Sequence, residues 1–246
     1  MTKKNISVVV PCYNYEKLIK KNIQKLSKVF SRLKIKYEFI IINDGSIDGT
    51  QNKLKEISKS NNNIKIINLK NNKGKSFCLK VGISKCKFNH IILIDCDLPY
   101  FGYLNNLLKK LNNNYDLVII NRKSKNSRLT ETKLNFYQKS RFLIGNLIGI
   151  LNKLILGIKF YDTQAGLKGF KKSSKFNNID FYSKKFFLDL ELIYHYQKNN
   201  KKIADIPINY KISKDSSIKL FSYKNLYILF ELIKVIIFLK IKKFKI

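Results

Sequence analysis

Ile91-Ile92-Leu93-Ile94-Asp95-Cys96-Asp97 is an apolar run that ends in two carboxylates two positions apart. A short, continuous apolar run is the pattern of a strand buried on both faces. At the carboxyl end of such a strand, both aspartates stand at the edge where open α/β sheets bind ligands. Two hard oxygen ligands there suit Mg²⁺ or Mn²⁺ holding a diphosphate. The competing interpretation is an acidic loop that caps the next helix. The neighbouring sequence decides between them.

Upstream, the same grammar repeats. Residues 6–10, 38–42 and 64–69 are β-rich runs, and helical patterns follow each at 16–33, 51–60 and 75–84. After the 91–94 strand come a helix near 103–111 and a fifth strand at 117–120. Strands near 167–170 and 203–206 and helices at 142–160, 188–198 and 226–241 complete the chain. Apolar strands separated by helices predict an α/β fold: a Rossmann-like, mainly parallel sheet flanked by helices. Residues 1–222 form one catalytic domain, and 223–246 a basic, amphipathic C-terminal helix. The polar stretch 123–133 is expected to be a mobile loop over the site.

Each of the first four strands ends in polar, turn-forming residues. Pro11-Cys12-Tyr13-Asn14-Tyr15-Glu16 follows the first. Pro11 ends the strand, Tyr13 offers a ring for a base to stack on, and Asn14 is suited to cap the next helix. Asn43-Asp44-Gly45-Ser46-Ile47-Asp48 follows the second. Asp44 is placed to accept hydrogen bonds from a nucleoside, and Asp48 serves as a helix N-cap. Asn71-Asn72-Lys73-Gly74-Lys75 follows the third. Gly74 permits close backbone approach, and a helix N-terminus with lysines suits a phosphate. The Walker spacing is absent. Four such ends on one sheet edge make a nucleotide site by topology.

The 246 residues are 45% hydrophobic and 13% aromatic, enough for a substantial core, and carry a formal net charge of +33. Such a charge attracts anions. The lysines are dispersed, and no helix-turn-helix, zinc or RNA-binding motif appears, so nucleic acid is not the expected partner. Cys12, Cys78, Cys86 and Cys96 form no Cys-x-x-Cys pair and read as reduced core residues. No signal peptide is evident. The segments 142–160 and 226–241 are apolar but interrupted by Asn, Lys or Glu, short of the roughly 20 residues of a spanning helix. Each is either a core helix or an interfacial one with lysines on an anionic membrane surface; the basic tail of Lys240, Lys242, Lys243 and Lys245 favours the latter for the last helix.

The series VVVPCYNYEK, INDGSIDGT, NNKGKSF, LIDCDLP and DTQAGLKGF resembles the family-2 glycosyltransferases of GT-A fold, and within them the polyprenyl-phosphate sugar synthases, dolichyl-phosphate glucosyltransferase in particular. The resemblance runs from about residue 6 to 220. It implies that Pro11, Tyr13, Asn14, Glu16 and Asp44 hold the nucleoside, with Gly74, Lys75 and Asp95 on the rest of the nucleotide-sugar. Asp95 and Asp97 bind the metal. Arg122 and Arg141 face phosphate at the acceptor end, Gln164, Gly166 and Lys168 shape the acceptor site, and Asp189 and Glu191 line its floor. Lys219 reaches a donor or acceptor phosphate. Three departures stand out. Pro99 occupies the position of a Gln found in many relatives, Ala165 and Leu167 replace the common Cys and Phe, and Gly145 stands where mannose-type relatives often carry Ser.

The implied reaction is an inverting transfer, with glucose favoured, from UDP-glucose or GDP-mannose to a polyprenyl phosphate on the cytoplasmic side of a membrane, with Mg²⁺ or Mn²⁺ on the diphosphate. Asp97 and Arg122 serve it directly. An ionised phosphate acceptor needs no strong base. In the alternative, a hydroxyl of a glycan or lipid-linked oligosaccharide is the acceptor, and Asp189 or Glu191 supplies the base.

Overall fold

The computed structural model describes residues 4–131, 133–173, 176, 179–212 and 223–241. In chain order the elements are β1 (Ile6–Cys12), α1 (Glu16–Ser31), β2 (Tyr37–Asn43), α2 (Thr50–Lys59), β3 (Ile64–Asn68), α3 (Lys75–Ser84) and β4 (His90–Ile94). Then follow α4 (Leu104–Asn112), β5 (Leu117–Asn121), β6 (Arg128–Leu129), α5 (Phe136–Leu156), β7 (Leu167–Lys171), α6 (Leu188–Lys198), β8 (Ile203–Pro207), β9 (Asn209–Tyr210) and α7 (Tyr223–Ile241). The seven strands expected from the sequence form one sheet in the order β3-β2-β1-β4-β7-β5-β8. All its pairings are parallel except those of β7, which runs antiparallel between β4 and β5.

Alternate side chains of each central strand enter opposite cores, which is why the strands read as unbroken apolar runs. Val8, Phe39, Ile41, Ile92 and Val118 face one side, where Ile19, Ile23, Leu26 and Phe30 of α1 and the leucines of α4 cover them. Val9, Ile40, Ile42, Leu93 and Ile119 face the other, under α3, α6 and α7. Leu232, Val235 and Leu239 seat α7 on that second core. Its opposite face exposes Tyr227, Leu229, Phe230, Ile233, Ile237 and Ile241, so apolar residues lie on both of its sides. Helix α5 packs against α7 and likewise exposes Leu143, Leu147, Ile150 and Leu154.

Two local expectations are corrected. Pro11 does not end β1; it lies within the strand, paired with Ile42 of β2. It is tolerated because the ladder to β4 stops at Val9 and Leu93, so no partner on that side asks Pro11 for an N–H. The 123–133 stretch is not simply a loop. Arg128 and Leu129 pair with Asn209 and Tyr210 in a small parallel ribbon, held by the Arg128 N–H on the Ile208 carbonyl and the Thr130 N–H on the Tyr210 carbonyl.

Candidate functional site

In the order β3-β2-β1-β4, the chain winds outward from β1 in one direction and then crosses to β4 on the other side. The crevice beyond the carboxyl ends of β1 and β4 is therefore the topological switch point. The two strands part after Val9 and Leu93. Tyr13 stands on the β1 side with 45% of its surface exposed, and Asp95 and Asp97 follow β4.

Lys75, the first residue of α3, binds Asp95 at 2.7 Å and lies 3.6 Å from Asp189, whose other oxygen is 3.1 Å from Lys168. Four alternating charges thus run inward from the crevice. Burial works against the Lys75 charge, but Asp95 and Asp189 outweigh it and hold the ammonium above its ordinary range. Desolvation, then the Asp95 charge, pushes the Asp97 carboxyl upward. A carboxylate whose proton affinity is raised by burial and by a neighbouring carboxylate suits a cation. Among the described residues, however, no group of three or more His, Cys, Asp or Glu converges to hold one. Asp95 and Asp97 could offer a cation two hard oxygen ligands, and such an ion would need further oxygens, such as those of a diphosphate, to fill its coordination.

Most of the other polar residues at the strand ends hold loops. Asp44 is buried, with Oδ1 accepting from the Lys73 N–H at 2.7 Å and Oδ2 from the Gly74 N–H at 2.9 Å. It fixes the β3–α3 loop. Asn14 does not cap α1: with φ at 49°, it accepts from the Ile47 N–H, and its own N–H donates to Ser46 Oγ. Asp48 stands one residue before the α2 N-cap, Gly49, and serves both helices, accepting from the Thr50 N–H of α2 and the Glu16 N–H of α1, while Glu16 accepts from the Gly49 N–H. This reciprocal clasp welds the loops after β1 and β2 into one wall of the crevice.

The N-terminus of α3 is not open to a phosphate. The Ser76 and Phe77 amides donate to the Lys185 and Lys184 carbonyls. Gly74, at φ 100°, is required because a Cβ there would lie 2.9 Å from the Lys185 Cα. The close approach it permits is of the chain's own 184–185 backbone.

Asp189 and Glu191 do not line an open floor. Asp189 is 3% exposed behind Lys75. Glu191 is fully buried and accepts from the Tyr182 and Ser183 amides at 2.7 and 2.8 Å. Burial pushes its carboxyl up to about 7, against the pull of those two amides. Glu231 of α7 completes the knot, accepting from Ser183 Oγ and from the Lys184 and Lys185 amides. Lys168 is 1% exposed and donates to the Ala165 carbonyl, so it supports the site from below and does not meet an acceptor.

Arg122, just after β5, grips Asp162 with Nε and Nη2 at 2.6 and 2.7 Å, its own N–H adding a third bond at 2.9 Å. Tyr100 shares the guanidinium. Arg122 is thus first a positioning residue: it anchors the start of the 162–166 loop, with the Gln164 N–H also on Asp162. At the other end of that loop, the Gly166 carbonyl accepts from the Asp95 N–H, and a Cβ on Gly166 would fall 2.0 Å from Asp95 Oδ2. One short loop therefore ties the cationic end to the carboxylate end. Arg141 lies on α5 with its guanidinium 5.7 Å from the Tyr137 ring centre. Lys219 lies outside the described residues.

The sequence assigns no role to Asp162, which opens the DTQAGLKGF string, or to Tyr100 and Glu231. Asp162 and Arg122 are 40 residues apart, and Glu231 and Ser183 are 48, so no local pattern pairs them. A cavity of about 550 Å³ lined by Lys171, His195 and Lys201 opens at the opposite edge of the sheet, away from these groups.

Gly166→Ala displaces the Asp95 carboxylate. It is expected to lower glycosyl transfer about 100-fold, the cost of roughly an ångström of misplacement; activity within about threefold of wild type contradicts that packing. Glu191 has a second consequence. Its folded pKa of about 7 lies above the ordinary 4.5, so the stability it contributes is full below pH 4.5 and is lost as pH rises to 7. Chemical denaturation of wild type and Glu191→Gln across that window should show their stability difference changing by about 3 kcal/mol. A constant difference excludes the buried, neutral carboxyl.

The chain matches the family described as Glycosyl transferase family 2 over residues 7–175. A glycosyltransferase of Synechocystis without an assigned activity is 40% identical over 121 residues, 49% of this chain and 38% of its own length. A dolichyl-phosphate beta-glucosyltransferase of Trichomonas vaginalis is 26% identical over 226 residues, 87% of this chain and 68% of its own. The chain thus spans well under half of the first relative and about two thirds of the second. Among solved structures, glucosyl-3-phosphoglycerate synthase from Mycobacterium tuberculosis, in complex with Mn²⁺, UDP-glucose and phosphoglyceric acid, superposes with a TM-score of 0.66 at 17% identity, over 95% of this chain and 80% of that one. The sheet order, the switch-point carboxylates and this match agree: the chain belongs to glycosyl transferase family 2 and has the GT-A fold.

Proposed function

We propose that this chain moves a hexose, with glucose favoured, from a nucleotide-diphosphate donor to a polyprenyl phosphate at the cytoplasmic surface of a membrane, with inversion at the anomeric carbon. The commitment of Asp189 and Glu191 carries the choice of acceptor. A hydroxyl acceptor needs a carboxylate base, and these two candidates are buried and engaged with Lys75, Lys168 and backbone amides. A phosphate acceptor is already ionised at neutral pH and needs only to be aligned. The similarity to dolichyl-phosphate beta-glucosyltransferases supports the same reading.

Within that reaction, Asp95 and Asp97 would hold Mg²⁺ or Mn²⁺ against the donor diphosphate, where the ion supplies Lewis-acid stabilisation of the leaving group. Lys75 brings a fixed positive charge to the same edge, its position set by Asp189. Tyr13 offers its exposed ring to the base, and the loop clasped by Glu16, Asn14 and Asp44 walls the nucleoside side. The 162–166 loop sets the distance between the donor and acceptor ends.

The lipid tail of the acceptor suits the outer faces of α5 and α7. Both are apolar, and exposed Lys139, Lys153, Lys234 and Lys240 sit among them to meet anionic headgroups. Among the described residues, no helix is long and apolar enough to cross a membrane. Docking in the plane of the interface would bring the acceptor end to headgroup level.

The test is transfer of label from UDP-glucose and, separately, GDP-mannose to citronellyl phosphate with Mg²⁺. Label should enter a mild-acid-labile product from one donor and fall at least about 100-fold in Asp97→Ala. An acid-stable glycosidic product on a glycan acceptor, with none on the phosphate, would favour the hydroxyl alternative instead.

A further inference from the structure

Arg122 and Lys168, two of the cations expected to meet the acceptor, are occupied by carboxylates of the chain itself. The residue after Arg122 is not. Lys123 is half-buried at the end of β5, where its ammonium reaches α5 and donates to the Gly145 carbonyl. That carbonyl lies in the middle of a helix, where the ladder already uses it. An ammonium carries three donors, so two are left without an acceptor among the described residues. Asp162 is the nearby carboxylate, but Arg122 takes both of its oxygens, and Lys123 makes no ion pair among the described residues.

The helix is shaped to receive this side chain. A Cβ at Gly149 would stand 3.4 Å from Lys123 Nζ and 2.6 Å from the Tyr161 carbonyl, and one at Gly145 would stand 3.7 Å from the same Nζ. Arg141 lies one turn before Gly145 on the same face. Burial, with Arg122's charge adding to it and Asp162 opposing, pushes the Lys123 pKa down to about 8. Arg122 and Asp162 cancel, so Lys123 keeps its own positive charge at neutral pH without an anionic partner among the described residues.

We infer that Lys123 binds the phosphate monoester of the acceptor, with Arg122 positioning the loop beside it, and thereby selects a phosphate-terminated acceptor over an alcohol. The inference rests on the acceptor class proposed above and adds the residue that reads it. A monoester oxygen accepts the two open ammonium donors and neutralises the surplus charge, which a neutral hydroxyl cannot do. Lys123 makes no contact with the donor carboxylates, so its effect belongs to the acceptor alone.

The experiment measures binding of citronellyl phosphate and of citronellol by calorimetry, and transfer kinetics with each substrate varied, in wild type, Lys123→Met, Lys123→Gln and Lys123→Arg. Wild type should bind the phosphate and not the alcohol. Met and Gln should weaken phosphate binding and raise the acceptor KM at least about tenfold, leaving the donor KM and the thermal midpoint close to wild type, and Arg should restore most of the loss. Phosphate binding unchanged in a folded Met or Gln variant overturns the assignment, as does wild type that binds alcohol equally well or fails to bind the phosphate. If wild type binds the phosphate through Lys123 but transfers no sugar to it, the proposed reaction falls and the anion site stands.

Discussion

The structure turns on the run of charges Asp95, Lys75, Asp189 and Lys168. It begins at the crevice and ends in the interior, where Asp189 and Lys168 are almost wholly buried. Removing one member of such a buried set leaves an uncompensated charge, so the members hold one another in place more than they add to stability. The elements that carry them are far apart in sequence: the end of β4, the start of α3, the first turn of α6 and the start of β7. Their mutual neutralisation is what brings these four ends to one spot. Among the described residues, it leaves Asp97 as the crevice carboxylate with no lysine in an ion pair.

Around this run, backbone approaches fill the space that a side chain would take. Gly166 lets the 162–166 loop lie against Asp95, and Gly74 lets the 184–185 segment close the α3 N-terminus. Ser183, Glu191 and Glu231 fasten that segment from three directions, and Glu231 belongs to the helix whose outer face is apolar. The apolar outer face of α7 and the lysine that meets Asp95 are therefore joined through one short turn.

Much of this was legible in the sequence because the signals are local. Unbroken apolar runs identified the strands of the sheet, and the polar residues following them marked the edge where its switch-point crevice opens. The pairing of those residues was not legible. Asp44 and Glu16 have the right chemistry to hold a ligand, yet their acceptor oxygens bind the amides of neighbouring loops. The Lys168 and Glu191 side chains point into the core from elements that alternate or rotate by residue, and the strings that contain them do not say which face wins. Arg122 finds Asp162 across 40 residues, and only the antiparallel insertion of β7 between β4 and β5 makes that contact. Pro11 misled for the opposite reason: it reads as a strand end, but the early parting of β1 from β4 removes the hydrogen bond it could not have made.

The account stands on Asp95 and Asp97 being half of a cation site that a nucleotide diphosphate completes. Titration of Mn²⁺ into the protein, followed by electron paramagnetic resonance with and without UDP or GDP, measures this directly. Two carboxylates, one of them held by Lys75, should bind Mn²⁺ weakly alone and at least about tenfold more tightly with one of the two nucleotides present. Equal affinity with and without both nucleotides, or no binding in either condition, would contradict it.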